Sequence, residues 1–202
     1  MIENIEFITG TMGGGKSTKL IDFIQEAEKD NESFICLKPS IDTRDGAEIK
    51  CRTHSKTYPA ITVASDEGAS ESFETIVHLI TEYNPSIIFM DEIQFMSVTF
   101  IESLISLTMI NGIKLVMAGL LKDFKQEYFP ASYHALMHTK KAYFLNANCD
   151  KCGKEALHNV KYNTLGAIQL EGETVEVGDL GKYGVLCETC FTAALVGGER
   201  DD

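Results

Sequence analysis

Positive charge is scarce in this sequence: 18 Lys and Arg stand against 30 Asp and Glu in 202 residues, a formal net charge of −12. Holding a long polyanion requires a Lys/Arg excess, so the deficit argues against a nucleic-acid polymer as the main partner. A ligand with only a few phosphates needs no more than a local site, and acidity leaves it open. A long apolar run is also missing. The most apolar window, Leu104 to Leu121, is broken by Asn111-Gly112 and Lys114 and does not read as a membrane span. The first six residues carry neither a basic stretch nor an apolar signal core, so the expected setting is the cytoplasm. There the six cysteines should stay reduced unless a metal claims them. No internal repeat of fixed period and no low-complexity tract is present.

What is there begins with length. A chain of 202 residues, 44% of them hydrophobic, can hold one well-cored domain with at most a small appendage. Ile5, Phe7 and Ile8 predict a short buried strand, followed by a glycine cluster and then a helix marked by Leu20, Phe23, Ile24 and Ala27. Phe34 to Leu37 and Ala60 to Ala64 read as strands on either side of a turn-rich stretch, 42–57. Phe73, Ile76, Val77 and Ile80 predict a helix that stops near Asn84-Pro85. Ile87 to Met90 and Lys114 to Ala118 read as strands, with a helix through Val98, Ile101 and Ile105 between them. Alternating strands and helices predict an α/β fold over residues 1–148, a mainly parallel sheet covered on both faces. After Cys149 glycine becomes frequent and helical periodicity fades, which predicts a small metal-stapled β module over 149–193 and a flexible tail over 194–202.

Gly10-Thr11-Met12-Gly13-Gly14-Gly15-Lys16-Ser17 satisfies G-x-x-x-x-G-K-[ST] in full, after a predicted strand and before a predicted helix. Glycines there let backbone N–H groups converge on phosphate oxygens at the positive end of the helix. Lys16 would reach the β- and γ-phosphates and Ser17 would serve Mg²⁺. Such a site needs a second acid at the end of a neighbouring apolar strand, and Asp91, after Ile87-Ile88-Phe89-Met90, has that place. Glu92, one residue on, is then available as a base. The competing reading makes both acids caps for the helix that starts near Ser97.

Cys149-Asp150-Lys151-Cys152 and Cys187-Glu188-Thr189-Cys190 each put two thiols on one tight turn, and two such turns make a tetrahedral S₄ zinc site. Their wide separation implies an excursion of the chain between them. Cys36 lies in an apolar run and reads as a buried small hydrophobe. The five histidines show no ligand spacing.

Taken in this order, the elements resemble the zinc-containing thymidine kinase family of bacteria, animals, large DNA viruses and phages, over almost the whole chain. The phosphate loop with Met12, the Asp42-Thr43-Arg44 segment, Asp91-Glu92-Ile93-Gln94-Phe95, Gly119-Leu120 with Phe124 and Phe129, and Tyr183 four residues before Cys187 carry the resemblance. It implies a RecA-like P-loop domain, with Gly10, Thr11, Met12, Gly13, Gly14, Gly15, Lys16, Ser17, Thr18 and Asp91 at ATP and Ser17 and Asp91 at Mg²⁺. Glu92 would accept the proton of the nucleoside 5′-hydroxyl. Met12, Asp42, Arg44, Gln94, Leu120, Phe124, Phe129 and Tyr183 would surround thymidine. Cys149, Cys152, Cys187 and Cys190 would hold structural zinc, and residues 166–182 would form a lasso loop over the base. The resemblance also implies a homotetramer, inhibition by the triphosphate end product, and a role in nucleotide salvage. The chain departs from the family pattern at Leu186, Lys161, Leu121 and Gly13-Gly14, away from the chemical core. A rival from another class is a P-loop ATPase whose zinc module binds nucleic acid; stimulation of ATP hydrolysis by DNA would identify it.

Overall fold

The computed structural model describes residues 4–43, 46–50, 56–64, 69–172 and 183–197. Its main body is a six-stranded sheet in the order β5-β2-β6-β7-β1-β8. The strands are β1 (Ile5–Gly10), β2 (Phe34–Pro39), β5 (Ile61–Val63), β6 (Ile87–Met90), β7 (Lys114–Ala118) and β8 (Lys141–Leu145). Every pairing in it is parallel. β7 lies between β1 and β6, so the strand that leads into the glycine loop and the strand that ends on Asp91 are next-but-one neighbours.

Alternation along each strand supplies both faces. Ile5 and Phe7 of β1, Leu37 of β2, Ile88 and Met90 of β6, and Leu115 and Met117 of β7 point into one layer. That layer is closed by α2 (Ala69–Tyr83), α3 (Val98–Ile110) and α4 (Pro130–Met137). Ile8, Cys36, Phe89 and Val116 point the other way, onto Leu20, Ile21, Ile24 and Ala27 of α1 (Lys16–Lys29). Central strands buried on both faces are what near-continuous apolar runs produce. Each fully buried Phe or Ile here contributes about 1.5–3 kcal/mol.

Ser97 caps α3, its Oγ accepting from the Phe100 amide at 3.2 Å, so neither Asp91 nor Glu92 is the cap of that helix. Some elements went unread in the sequence. The turn-rich stretch carries β3 (Glu48–Ile49), which pairs antiparallel with β4 (Tyr58–Pro59) just beyond it, and Ile49 and Tyr58 extend the α1-side core. α4 is only eight residues long, too short for a helical period to stand out, and β8 is an edge strand with partly exposed faces.

After β8 comes the cysteine module. β9 (His158–Tyr162) is the centre of an antiparallel sheet, flanked by β10 (Ile168–Gln169) and β11 (Tyr183–Leu186). α5 (Glu188–Gly197) follows, growing out of the second C-x-x-C turn. It corrects the reading of fading helicity and runs through 194–197, which the sequence assigned to a tail. Phe191 stacks on His158 with ring centroids 4.1 Å apart, and Cys190 and Ala194 pack against the same core, a short apolar face that gives little helical period.

Candidate active site

The glycine loop leaves β1 at the carboxyl edge of the sheet, where ligand sites of parallel α/β sheets form. Its geometry explains its composition. A Cβ on Gly10 would lie 1.8 Å from the Leu145 carbonyl oxygen, and one on Gly14 2.1 Å from the same atom, so the loop is pressed against the end of β8. Gly15 caps α1 in the left-handed region at φ 87°, with no side-chain cap hydrogen bond and no acid in the first turn. A helix start whose amides no side chain caps, and whose own first turn carries no acid, is an anion site. The Lys16 ammonium donates to the Thr11 carbonyl at 2.8 Å, and the Thr11 hydroxyl accepts from the Ala147 amide at 2.8 Å.

Across β7, Asp91 ends β6 with its amide donating to the Leu37 carbonyl at 3.1 Å. Its buried carboxylate accepts from the Glu92 amide at 2.9 Å and from the Ser17 hydroxyl. Burial pushes its pKa up to about 7, and the neighbouring Glu92 charge adds to that; the Ser17 bond, the Glu92 amide and the Lys16 charge work against it. A carboxylate and a phosphate-loop hydroxyl in contact, with the carboxylate short of compensating charge, fit a divalent cation at this point.

Glu92 stands in the left-handed region, φ 53° and ψ 38°, at the start of a 3₁₀ turn over Ile93–Phe95. For a non-glycine residue that costs on the order of 1–3 kcal/mol and is characteristic of functional positions. Gln94, itself buried, holds it there: its amide nitrogen donates to the Glu92 carboxylate, and its Oε1 accepts from the Leu120 amide at 3.0 Å. A Cβ on Gly119 would meet Gln94 Oε1 and Ile93 Cγ1, each at 2.8 Å, so a larger residue there would displace Gln94.

The segment from Leu120 to Phe129 is a tight loop. The Asp123 carboxylate accepts from the amides of Lys125 (2.8 Å) and Glu127 (3.0 Å), and the Phe129 amide donates to the Leu121 carbonyl at 3.0 Å. This turns Phe124 inward to 2% exposure, edge-on to Tyr183 with ring centroids 6.1 Å apart. Buried Lys161 sets its ammonium 5.1 Å from the Phe124 ring and 5.6 Å from Tyr183. Phe129 is buried at the head of α4. Met12 leaves the glycine loop to pack against the core of the cysteine module.

The structure thus joins Ser17, Asp91, Glu92, Gln94 and Leu120 in one bonded chain, and Phe124 with Tyr183 in one contact. Asp42 lies apart, in a buried ion pair with Lys38 at 3.3 Å. Arg44 and residues 173–182 fall outside the described residues. Asn159, Asp123 and Gln126 hold these segments in place and were not singled out in the sequence. Asp123 alone had a readable signal, an acid just ahead of a turn.

In the module the four sulfurs of Cys149, Cys152, Cys187 and Cys190 lie within 4.8 Å of one another. Cys152 and Cys187 are 3.5 Å apart, far beyond a disulfide bond of about 2.05 Å. Metal–sulfur bonds of about 2.3 Å would place tetrahedral sulfurs about 3.8 Å apart, so the spacing fits. Burial opposes ionisation of Cys149, yet amides of Cys187, Lys151 and Cys152 bring it down to about 6. Cys190, hydrogen-bonded by the thiols of Cys152 and Cys187, is pushed up to about 12. Thiols that block one another's ionisation are what a divalent cation relieves. His158 bonds Gln126 and Glu188 instead of joining the sulfurs, and buried Cys36 is pushed up to about 12, inert as read.

Comparison with known proteins agrees with this geometry. A family model described as "Thymidine kinase" matches residues 3–191. A thymidine kinase of Ureaplasma urealyticum is 31% identical over 183 residues, 91% of this chain and 80% of the relative. One from Thermococcus kodakarensis is 30% identical over 152 residues, 75% of each chain, and one from Rhodopirellula baltica 26% over 200 residues, 97% and 91%. The match takes in the glycine loop, the strand-end acids and the four-cysteine module, and the chain belongs to the thymidine kinase family.

Proposed function

We propose that this protein transfers the γ-phosphoryl group of ATP to the 5′-hydroxyl of thymidine, giving ADP and thymidine monophosphate, as a step of nucleotide salvage. The observation that carries the reading is the bonded chain from Ser17 through Asp91, Glu92 and Gln94 to Leu120, which runs from the phosphate loop to the Phe124 segment. Gly10 to Thr18 hold the triphosphate, and Lys16 leaves the Thr11 carbonyl for the β- and γ-phosphates. Ser17 and Asp91 hold Mg²⁺, which when bound offsets charge on those phosphates. Glu92 takes the proton as the 5′-oxygen bonds the γ-phosphorus and the bond to the β-phosphate oxygen breaks.

Thymine lies among Met12, Leu120, Phe124, Phe129 and Tyr183, with Gln94, Asp42 and Arg44 on the nucleoside. The 166–182 loop covers the base and reads it through backbone groups. In this proposal residues 1–148 form the ATP-binding unit and 149–193 the zinc module, the active form is a homotetramer open to feedback by the triphosphate, and the setting is the cytoplasm. No described helix is long and apolar enough to cross a membrane.

Radiolabelled phosphate transfer to the four deoxynucleosides tests the substrate. A site that hydrogen-bonds the thymine O4/N3–H edge leaves its own groups unpaired against cytosine, which can discriminate by roughly 10⁴. Deoxycytidine and purine deoxynucleosides should therefore be poor acceptors; deoxycytidine turned over as well as thymidine would overturn the reading. Metal analysis should find one zinc per chain, retained in Cys36→Ser and lost in Cys187→Ser. Strong chelation should disorder the module and weaken thymidine binding, because structural zinc contributes on the order of 10 kcal/mol. Protein purified with no zinc would count against the assignment.

A further inference from the structure

One buried carboxamide outside every motif touches two separate loops of the site. Asn159 lies on β9, the central strand of the module, with 5% exposure. Its Oδ1 accepts from the Met12 amide of the phosphate loop at 2.8 Å. Its Nδ2 donates to the Lys122 carbonyl, in the loop that carries Phe124, at 2.9 Å. Its backbone carbonyl accepts from Gln126 Nε2 at 2.9 Å, and Gln126 in turn meets His158 at 2.7 Å. The orientation of the carboxamide follows from its partners, since an amide N–H must face the oxygen and a carbonyl the nitrogen.

We infer that Asn159 is a positioning residue that fixes the phosphate loop and the acceptor-side loop relative to each other, so that the donor and acceptor halves of the site are aligned through the cysteine module. It touches no reacting atom. By taking the Met12 amide toward the module, it sets which loop amides are left to face phosphate. By holding Lys122, it fixes the stem from which Phe124 projects toward Tyr183. Transfer between two bound substrates is steeply sensitive to such alignment. The two ends of the carboxamide serve different loops, so their effects should separate.

This inference rests on the kinase reading, and two substitutions test it. Asn159→Asp keeps an acceptor for the Met12 amide but turns a second oxygen on the Lys122 carbonyl. It should raise the thymidine KM by roughly 10-fold and leave the ATP KM within about 2-fold. Asn159→Leu has neither bond and should raise both KM values and lower kcat by roughly 10-fold or more. Zinc content and thermal unfolding are measured alongside. Equal ATP KM values in the two variants, both KM values unchanged, or zinc lost from Asn159→Asp would each overturn the inference, making the residue a space-filler or a module-folding residue. Should the unaltered chain phosphorylate no thymidine, the kinase reading fails instead, and ATP affinity of the same two variants still reads the hold on the phosphate loop.

Discussion

Lys16→Ala should lower kcat by at least about 10²–10³-fold with the fold intact, the loss seen when one preorganised charge or donor is removed from a transition state. Lys16 opens α1, and alanine is the better helix former, so the helix itself loses nothing. The bond given up to the Thr11 carbonyl is worth about 0.5–1.5 kcal/mol. Catalysis loses more, for two reasons. In the proposed reaction the ammonium offsets charge on the transferring phosphoryl group. It also draws down the pKa of Asp91, which burial already pushes up to about 7, so its removal weakens the cation-binding acid as well. Thermal unfolding close to that of the unaltered protein, together with collapsed phosphate transfer, is the expected pair of results. A folded Lys16→Ala protein with near-normal turnover would remove the phosphate loop from the mechanism.

For Glu92→Gln the expected result is near-normal binding of ATP and thymidine with kcat reduced at least roughly 10²-fold. Glutamine has the same length and still offers an oxygen to the Gln94 amide, so the 3₁₀ turn should hold. What disappears is the capacity to accept a proton. Asp42 is the runner-up base, but its carboxylate is engaged with buried Lys38. Single-turnover and steady-state rates decide between them. A defect confined to KM makes Glu92 a binding residue. A pure kcat defect in Asp42→Asn instead reassigns the base.

The phosphate loop, the apolar strand ending on Asp91 and the paired cysteines were legible in the sequence because each is local: residue types a few positions apart that only one chemistry demands. The same holds for the helices with four apolar positions on one face. α4 and β8 were not legible, since eight residues barely make two turns and an edge strand need not alternate cleanly. The hairpin of β3 and β4 has two residues per strand and is made by packing of Ile49 and Tyr58, not by propensity. Asn159 was invisible for a different reason. Its partners, Met12 and Lys122, are brought to it by the topology of two separate sheets, and no spacing along the chain announces that meeting.

The bond between Met12 and Asn159 spans 147 positions. On a ribosome adding about 5–20 residues per second, the phosphate loop waits roughly 7–30 s after its own synthesis for that partner to be made, and longer for Cys187 and Cys190. A nascent chain would therefore carry the glycine loop before the side chain that holds its Met12 amide exists, so the loop should take its final form only after the module is made.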